Sequence, residues 1–135
     1  ATKAAFTLSD LSQWLTAENA TSYDVYVYIT GFNADTYTPL SATGQTDLFV
    51  DISGVSLSYN QITSTSSGAP TTSGNYAKYS GLTGDTFNFT LGNPVSAGQT
   101  AIAGFQVVSI PEPATLGMIT AFGGSILFIR RRFLV

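Results

Sequence analysis

Tyr23-Asp24-Val25-Tyr26-Val27-Tyr28-Ile29-Thr30 is the stretch from which the fold can be read. In an extended chain Tyr23, Val25, Val27 and Ile29 share one face and Asp24, Tyr26, Tyr28 and Thr30 the other, the period-two signature of a half-buried strand. Working outward, Leu48, Val50 and Ile52 repeat the pattern, as do Val55, Leu57 and Tyr59 with serines between, and Phe87, Phe89 and Leu91. Residues 100–110 are apolar on both faces, Ile102, Val108 and Ile110 opposite Ala103, Phe105 and Val107, which predicts a strand in the middle of a sheet. Weaker alternation over 3–8 and 76–82 brings the expected count to about seven strands. Ser53-Gly54 and Gly84-Asp85 read as hairpin turns between them. The expectation for residues 1–110 is an antiparallel β-sandwich.

One helix interrupts the strands. Asp10 is the expected N-cap with Gln13 at its third position, and Leu11, Trp14 and Leu15 line one face, so the helix plugs an open end of the sheet. A lone Trp beside leucines at helical spacing reads as core before it reads as a sugar-stacking residue. Residues 62–75, rich in Ser, Thr and Gly, predict a mobile, solvent-exposed loop whose hydroxyls are potential O-glycan acceptors. Residues 31–44 read as a connector whose Phe32 and Tyr37 cover a sheet edge or meet a partner. Asn19-Ala20-Thr21 and Asn88-Phe89-Thr90 match the N-glycosylation sequon, a match expected by chance in a bacterial chain.

The composition narrows the chemistry. The chain has 135 residues, no Cys and no His, which removes the thiol nucleophile, the usual general base and the commonest transition-metal ligands. A glycosidase needs two opposed carboxyls, and the sequence leaves Asp47 with Asp51 or with Asp24 open as such a pair, although isolated Asp residues beside strands are usually solvated. Asp35, Asp47, Asp51 and Asp85 lie near turns, but none forms a calcium loop. No catalytic residue, cofactor or metal site is expected. Residues 1–110 carry seven acidic side chains against Lys3 and Lys78, a balance of −5, so no nucleic-acid partner is expected either.

The C-terminal end has a different character. Pro111-Glu112-Pro113 precede 16 uncharged residues, 114–129, and then Arg130-Arg131-Arg132. As a helix those 16 residues span about 24 Å, short of the ~30 Å hydrocarbon core, with the Arg130 stem and local thinning closing the gap. Leu116, Met118, Ile119, Phe122, Ile126, Leu127 and Phe128 surround the cylinder, so the run predicts a transmembrane helix rather than an amphipathic core helix. The arginines stay cytoplasmic by the positive-inside rule, which puts residues 1–110 on the far side. The absence of a Met at Ala1 fits removal of a secretory signal. The expected organisation is therefore an extracytoplasmic domain over 1–110, a linker at 111–113, a span over 114–129 and a cytoplasmic tail over 130–135. Gly117, Ala121 and Ser125 recur every four residues, a small-residue stripe against which a second membrane helix could pack.

Pro-Glu-Pro, Ala-Thr-Leu-Gly, a short apolar helix with Gly123-Gly124 and a terminal Arg cluster together resemble the PEP-CTERM sorting signal of exported bacterial proteins, over residues 111–132 alone. The resemblance implies recognition of Pro111, Glu112 and Pro113 by a membrane-embedded exosortase, a cysteine transpeptidase-like enzyme that cuts near them. Phe133-Leu134-Val135 follow the arginines, where family members usually stop. Two proline-locked φ angles independently keep the tripeptide extended and accessible. The functional expectation is a non-catalytic, exported, membrane-anchored structural or interaction protein, either a cell-surface matrix component or a stabilising subunit, with membrane lipid and other membrane or surface proteins as partners. Its alternatives are a single-span accessory subunit of a larger membrane complex, and a carbohydrate-binding module using Tyr26 and Tyr28.

Overall fold

The computed structural model describes residues 2–32, 37–52, 58–93 and 99–111, and in it the strand seeded by residues 23–30 lengthens to thirteen residues. Along the described chain come β1 (Thr2–Leu8), α1 (Leu11–Ala17), β2 (Ala20–Phe32), β3 (Thr38–Ala42), β4 (Leu48–Asp51), β5 (Thr71–Thr72), β6 (Tyr76–Leu82), β7 (Phe87–Gly92) and β8 (Gln99–Pro111). They form a five-stranded sheet in the order β1-β7-β3-β4-β5 and a three-stranded sheet in the order β6-β2-β8. Every pairing is antiparallel except the short β4–β5 contact, which is parallel.

The architecture is all-β and sandwich-like because both sheets have one apolar face to hide. From the smaller sheet Tyr23, Val25, Val27 and Ile29 of β2 and Ala77 and Tyr79 of β6 enter the core. They meet Phe87, Phe89 and Leu91 of β7, Leu40 and Ala42 of β3 and Val50 of β4. Rings lock the two layers together. Tyr79 packs against Phe87 and Phe89 at centroid distances of 5.6 and 6.2 Å, and Phe6 of β1 stacks on Phe105 of β8 at 4.9 Å. Helix α1 closes one end, contributing buried Leu11 and Leu15, while half-buried Trp14 meets the Tyr23 ring edge-on at 6.5 Å. Trp14 is thus core packing.

Several expectations give way. Residues 31–44 are not a mere connector, because they contain β3, with Thr38 and Leu40 fully buried between β7 and β4. Pro39 is tolerated there because the pairing with β7 runs only from Leu40 to Ala42, so no ladder bond is required of its nitrogen on that side. Gly92 of β7 completes the fit, since a Cβ at that position would collide with the Pro39 ring. Among the described strands the one over residues 100–110 lies at an edge rather than centrally, because β2 takes the middle of the smaller sheet and pairs with β8 on one side. Phe105, Val108 and Ile110 remain partly open to solvent as a result.

The helix cap is also not where local sequence puts it. Asp10 has φ 59° and makes no side-chain cap bond, which excludes the Asp10 and Gln13 capping box. Asp85, more than seventy residues away, caps the helix instead: its carbonyl accepts from Leu11 N–H at 3.1 Å and its carboxylate accepts from Ser12 N–H at 3.0 Å and from the Ser12 hydroxyl. Those Ser12 bonds hold the Asp85 carboxyl below its ordinary range. The Gly84-Asp85 segment is accordingly not a hairpin turn. It carries the chain from β6 in one sheet to β7 in the other.

Residues 62–75 do not form a free loop either. Ile62 is 1 % exposed, and the Thr71 hydroxyl accepts from the N–H groups of Thr63 and Ser64, each at 3.0 Å. The Ser53-Gly54 turn and most of the strand expected over 55–59 fall outside the described residues. Tyr59 is described, lies in no strand and is 83 % exposed.

Two substitutions test this core. Leu40→Ala should lower the unfolding free energy by about 2–5 kcal/mol in denaturant titration, whereas a connector residue would change it little. The Tyr79 hydroxyl is buried without a hydrogen-bond partner among the described residues. Burial, and secondarily the charge on Asp47, push its pKa far upward. Tyr79→Phe is therefore expected to hold or raise stability, by up to about 1–3 kcal/mol.

Candidate functional site

Because β2 buries Tyr23, Val25, Val27 and Ile29, the even-numbered residues between them form the outer face of the smaller sheet. Tyr26 and Tyr28 stand there beside Tyr76 of β6, which is paired directly with Tyr28. Tyr76 lies 6.3 Å from Tyr26 and 6.2 Å from Tyr28 between ring centroids, at tilts of 32° and 40°. Cross-strand aromatic pairs of this kind stabilise sheets on their own account. The fourth ring is different. Tyr59 comes from outside the strands and meets Tyr28 and Tyr76 edge-on at 6.2 and 6.3 Å, leaving most of its surface in water. The four tyrosines line a depression of about 190 Å³.

Tyr59 is held by a clamp between two asparagines. Asn60 N–H donates to Asn75 Oδ1 at 2.9 Å, Asn75 N–H donates to the Asn60 carbonyl at 2.9 Å, and Asn60 Nδ2 reaches the Thr72 carbonyl at 3.0 Å. Asn75 Nδ2 also donates to the Ser58 carbonyl at 2.8 Å. The backbone on both sides of Tyr59 is thus fixed by side chains. Carboxamides sit at the rim of the depression, where the Tyr28 hydroxyl donates to Gln106 Oε1 at 3.2 Å and Tyr76 makes a longer contact of 3.5 Å with Gln61 Oε1.

Charge at the platform is internally neutralised. Lys78 Nζ lies 2.9 Å from Asp24 Oδ2 and 5.3 Å from the Tyr26 ring centroid. Asp24 Oδ1 accepts from Gly81 N–H at 2.9 Å, a bond that the positive φ of Gly81, 66°, makes reachable. Burial alone would raise the Asp24 pKa, but the Lys78 ammonium and the Gly81 N–H together outweigh it and hold the carboxyl below its ordinary range.

Of the residues expected from sequence to form sites, Tyr26 and Tyr28 come together with two tyrosines that the sequence reading did not associate with them. Asp24 faces outward from the smaller sheet and is bound to Lys78, so it shares no cleft with Asp47 or Asp51 on the other side of the fold. Asp35 lies outside the described residues. Among the described residues no three His, Cys, Asp or Glu side chains gather into a group that could hold a metal. Asn88 faces β1, its side chain accepting from the Thr7 hydroxyl at 2.8 Å. Pro111 is the exposed last residue of β8, opposite Ala20. Glu112, Pro113, Gly117, Ala121, Ser125, Arg130, Arg131 and Arg132 lie outside the described residues. No helix among the described residues is long and apolar enough to cross a membrane.

The Asp24 pair makes stability depend on pH with a definite sign. A folded-state pKa below the unfolded value of about 3.9 adds stability above that value, and the gain is lost as pH falls through the folded pKa. The melting temperature should therefore fall between about pH 5 and pH 2, and Asp24→Asn should make that decline shallower while lowering the melting temperature at pH 7. An unchanged acid slope in Asp24→Asn would contradict the pairing.

Compared with protein-family models, with curated proteins and with solved structures, the chain has no match.

Proposed function

We propose that this chain is an exported, non-catalytic interaction protein whose all-β domain is displayed on the far side of a membrane, with residues 111–135 serving as sorting and anchoring element. The observation that supports it is where the last described strand ends. Among the described residues the core closes with side chains from residues 4–107, and β8 then runs to an exposed Pro111 at the margin of the sheet. The uncharged run over 114–129 and the three arginines follow that point in the sequence. A 16-residue uncharged run whose apolar side chains would surround a helix finds its low-energy environment in lipid. The arginines set the direction.

Because the chain contains no Cys, a single introduced thiol reports topology cleanly. Thr65→Cys, in the exposed part of the 62–75 segment, should react with a membrane-impermeant maleimide in intact spheroplasts. Val135→Cys should react only after permeabilisation. Labelling of Val135→Cys in intact spheroplasts, or protection of Thr65→Cys there, would overturn the reading. Intact mass of the membrane-extracted protein then separates the two forms of it: a chain cut near Pro111 is a released or surface-attached component, and a full-length chain is an anchored subunit.

A further inference from the structure

The platform of Tyr26, Tyr28, Tyr59 and Tyr76 is more elaborate than sheet stability requires. Tyr26, Tyr28 and Tyr76 are explained by cross-strand packing, but Tyr59 is not. A loop tyrosine that is 83 % exposed buries little apolar surface, yet four hydrogen bonds of Asn60 and Asn75 fix the backbone beside it. Holding a ring in place while leaving it wet is preorganisation for a ligand, since the ordering cost is met in the free protein.

We infer that this platform is a binding site for a neutral polysaccharide, whose pyranose C–H faces stack on the tyrosine rings. Three observations choose the occupant. The depression, about 190 Å³, is smaller than the ~300–1,000 Å³ of an enclosing small-molecule pocket, which suits an extended polymer held a ring or two at a time. Its rim is both donor and acceptor: the Gln61 and Gln106 carboxamides accept from, or lie close to, tyrosine hydroxyls through their oxygens, leaving their NH2 groups and the phenolic lone pairs for ligand hydroxyls, which also donate and accept. The local charge is cancelled, Lys78 being committed to Asp24, and the −5 balance of residues 1–110 repels a polyanion. A proline-rich peptide also docks on aromatic rings, but it has no backbone N–H at its prolines and so offers the acceptors of that rim few donors.

The site does not depend on the tail being an anchor. Where the tail is in a membrane, the seven residues from Gly104, opposite Tyr28, to Pro111 hold the platform about 23 Å from the point of exit. That is enough to reach a polymer outside the headgroup layer.

The test uses the purified full-length chain in detergent and native affinity electrophoresis through gels containing laminarin, dextran or alginate, with fluorescence anisotropy of a labelled proline-rich decapeptide alongside. Retardation by laminarin or dextran, with none by alginate and no peptide binding, is the expected result. Tyr59→Ala should weaken glucan binding about threefold to tenfold with an unchanged melting temperature, and Tyr59→Phe, which keeps the ring, should retain most of it. The inference is overturned if neither glucan retards the wild type, if Tyr59→Ala binds like wild type, or if alginate or the peptide binds more strongly than either glucan. The maleimide topology result is unaffected by any of these outcomes.

Discussion

Strand β2 is constrained from every side, and the remainder of the molecule follows from that. One face must hide Tyr23, Val25, Val27 and Ile29, which are at most 4 % exposed, and both backbone edges must find partners, in β6 and β8. A one-residue slip would put Asp24, Tyr26 and Tyr28 into the core and four apolar side chains into water. The register of β2 therefore fixes the ladder with β6, and with it the placement of Tyr76 against Tyr28 and of Lys78 against Asp24. The same alternation builds the core and the outer platform. Neither can be altered without the other.

What the sequence disclosed was local periodicity. Alternation located β2, β6 and β7 to within three residues, and the expected all-β class holds. Burial on both faces was the wrong inference for β8. Apolar residues on two faces show only that both can be covered, whereas position within a sheet depends on how the chain crosses between layers, which no local window contains. β3 escaped because Thr38, Pro39 and Ser41 carry loop chemistry, and only Leu40 and Ala42 declare a core face.

The candidate site was half legible. Tyr26 and Tyr28 were recognisable as exposed aromatics on a polar strand face. Tyr59 carried the opposite signal, continuing an alternation with Val55 and Leu57 that would have placed it inside a strand. The clamp that presents it joins Asn60 to Asn75, a pairing made by tertiary closure. The cap of α1 is the same lesson at longer range, since a favourable Asp10 stood next to the helix and Asp85 from the crossover between sheets took the role.

Among the described residues β8 is paired along one edge only, and the other edge has a consequence for assembly. Residues 99–110 of this strand include no charge and no proline, the devices that usually keep an open edge from recruiting a copy of itself. Two copies joined antiparallel along this edge would place their Pro111 residues at opposite ends of a strand about 40 Å long. Chains tethered by their tails to one bilayer cannot adopt that arrangement, because one tail would have to leave from the top of the pair. Where the tail is in a membrane, tethering would thus act as a geometric chaperone, withholding from the folded domain the self-association that an edge without charge or proline invites.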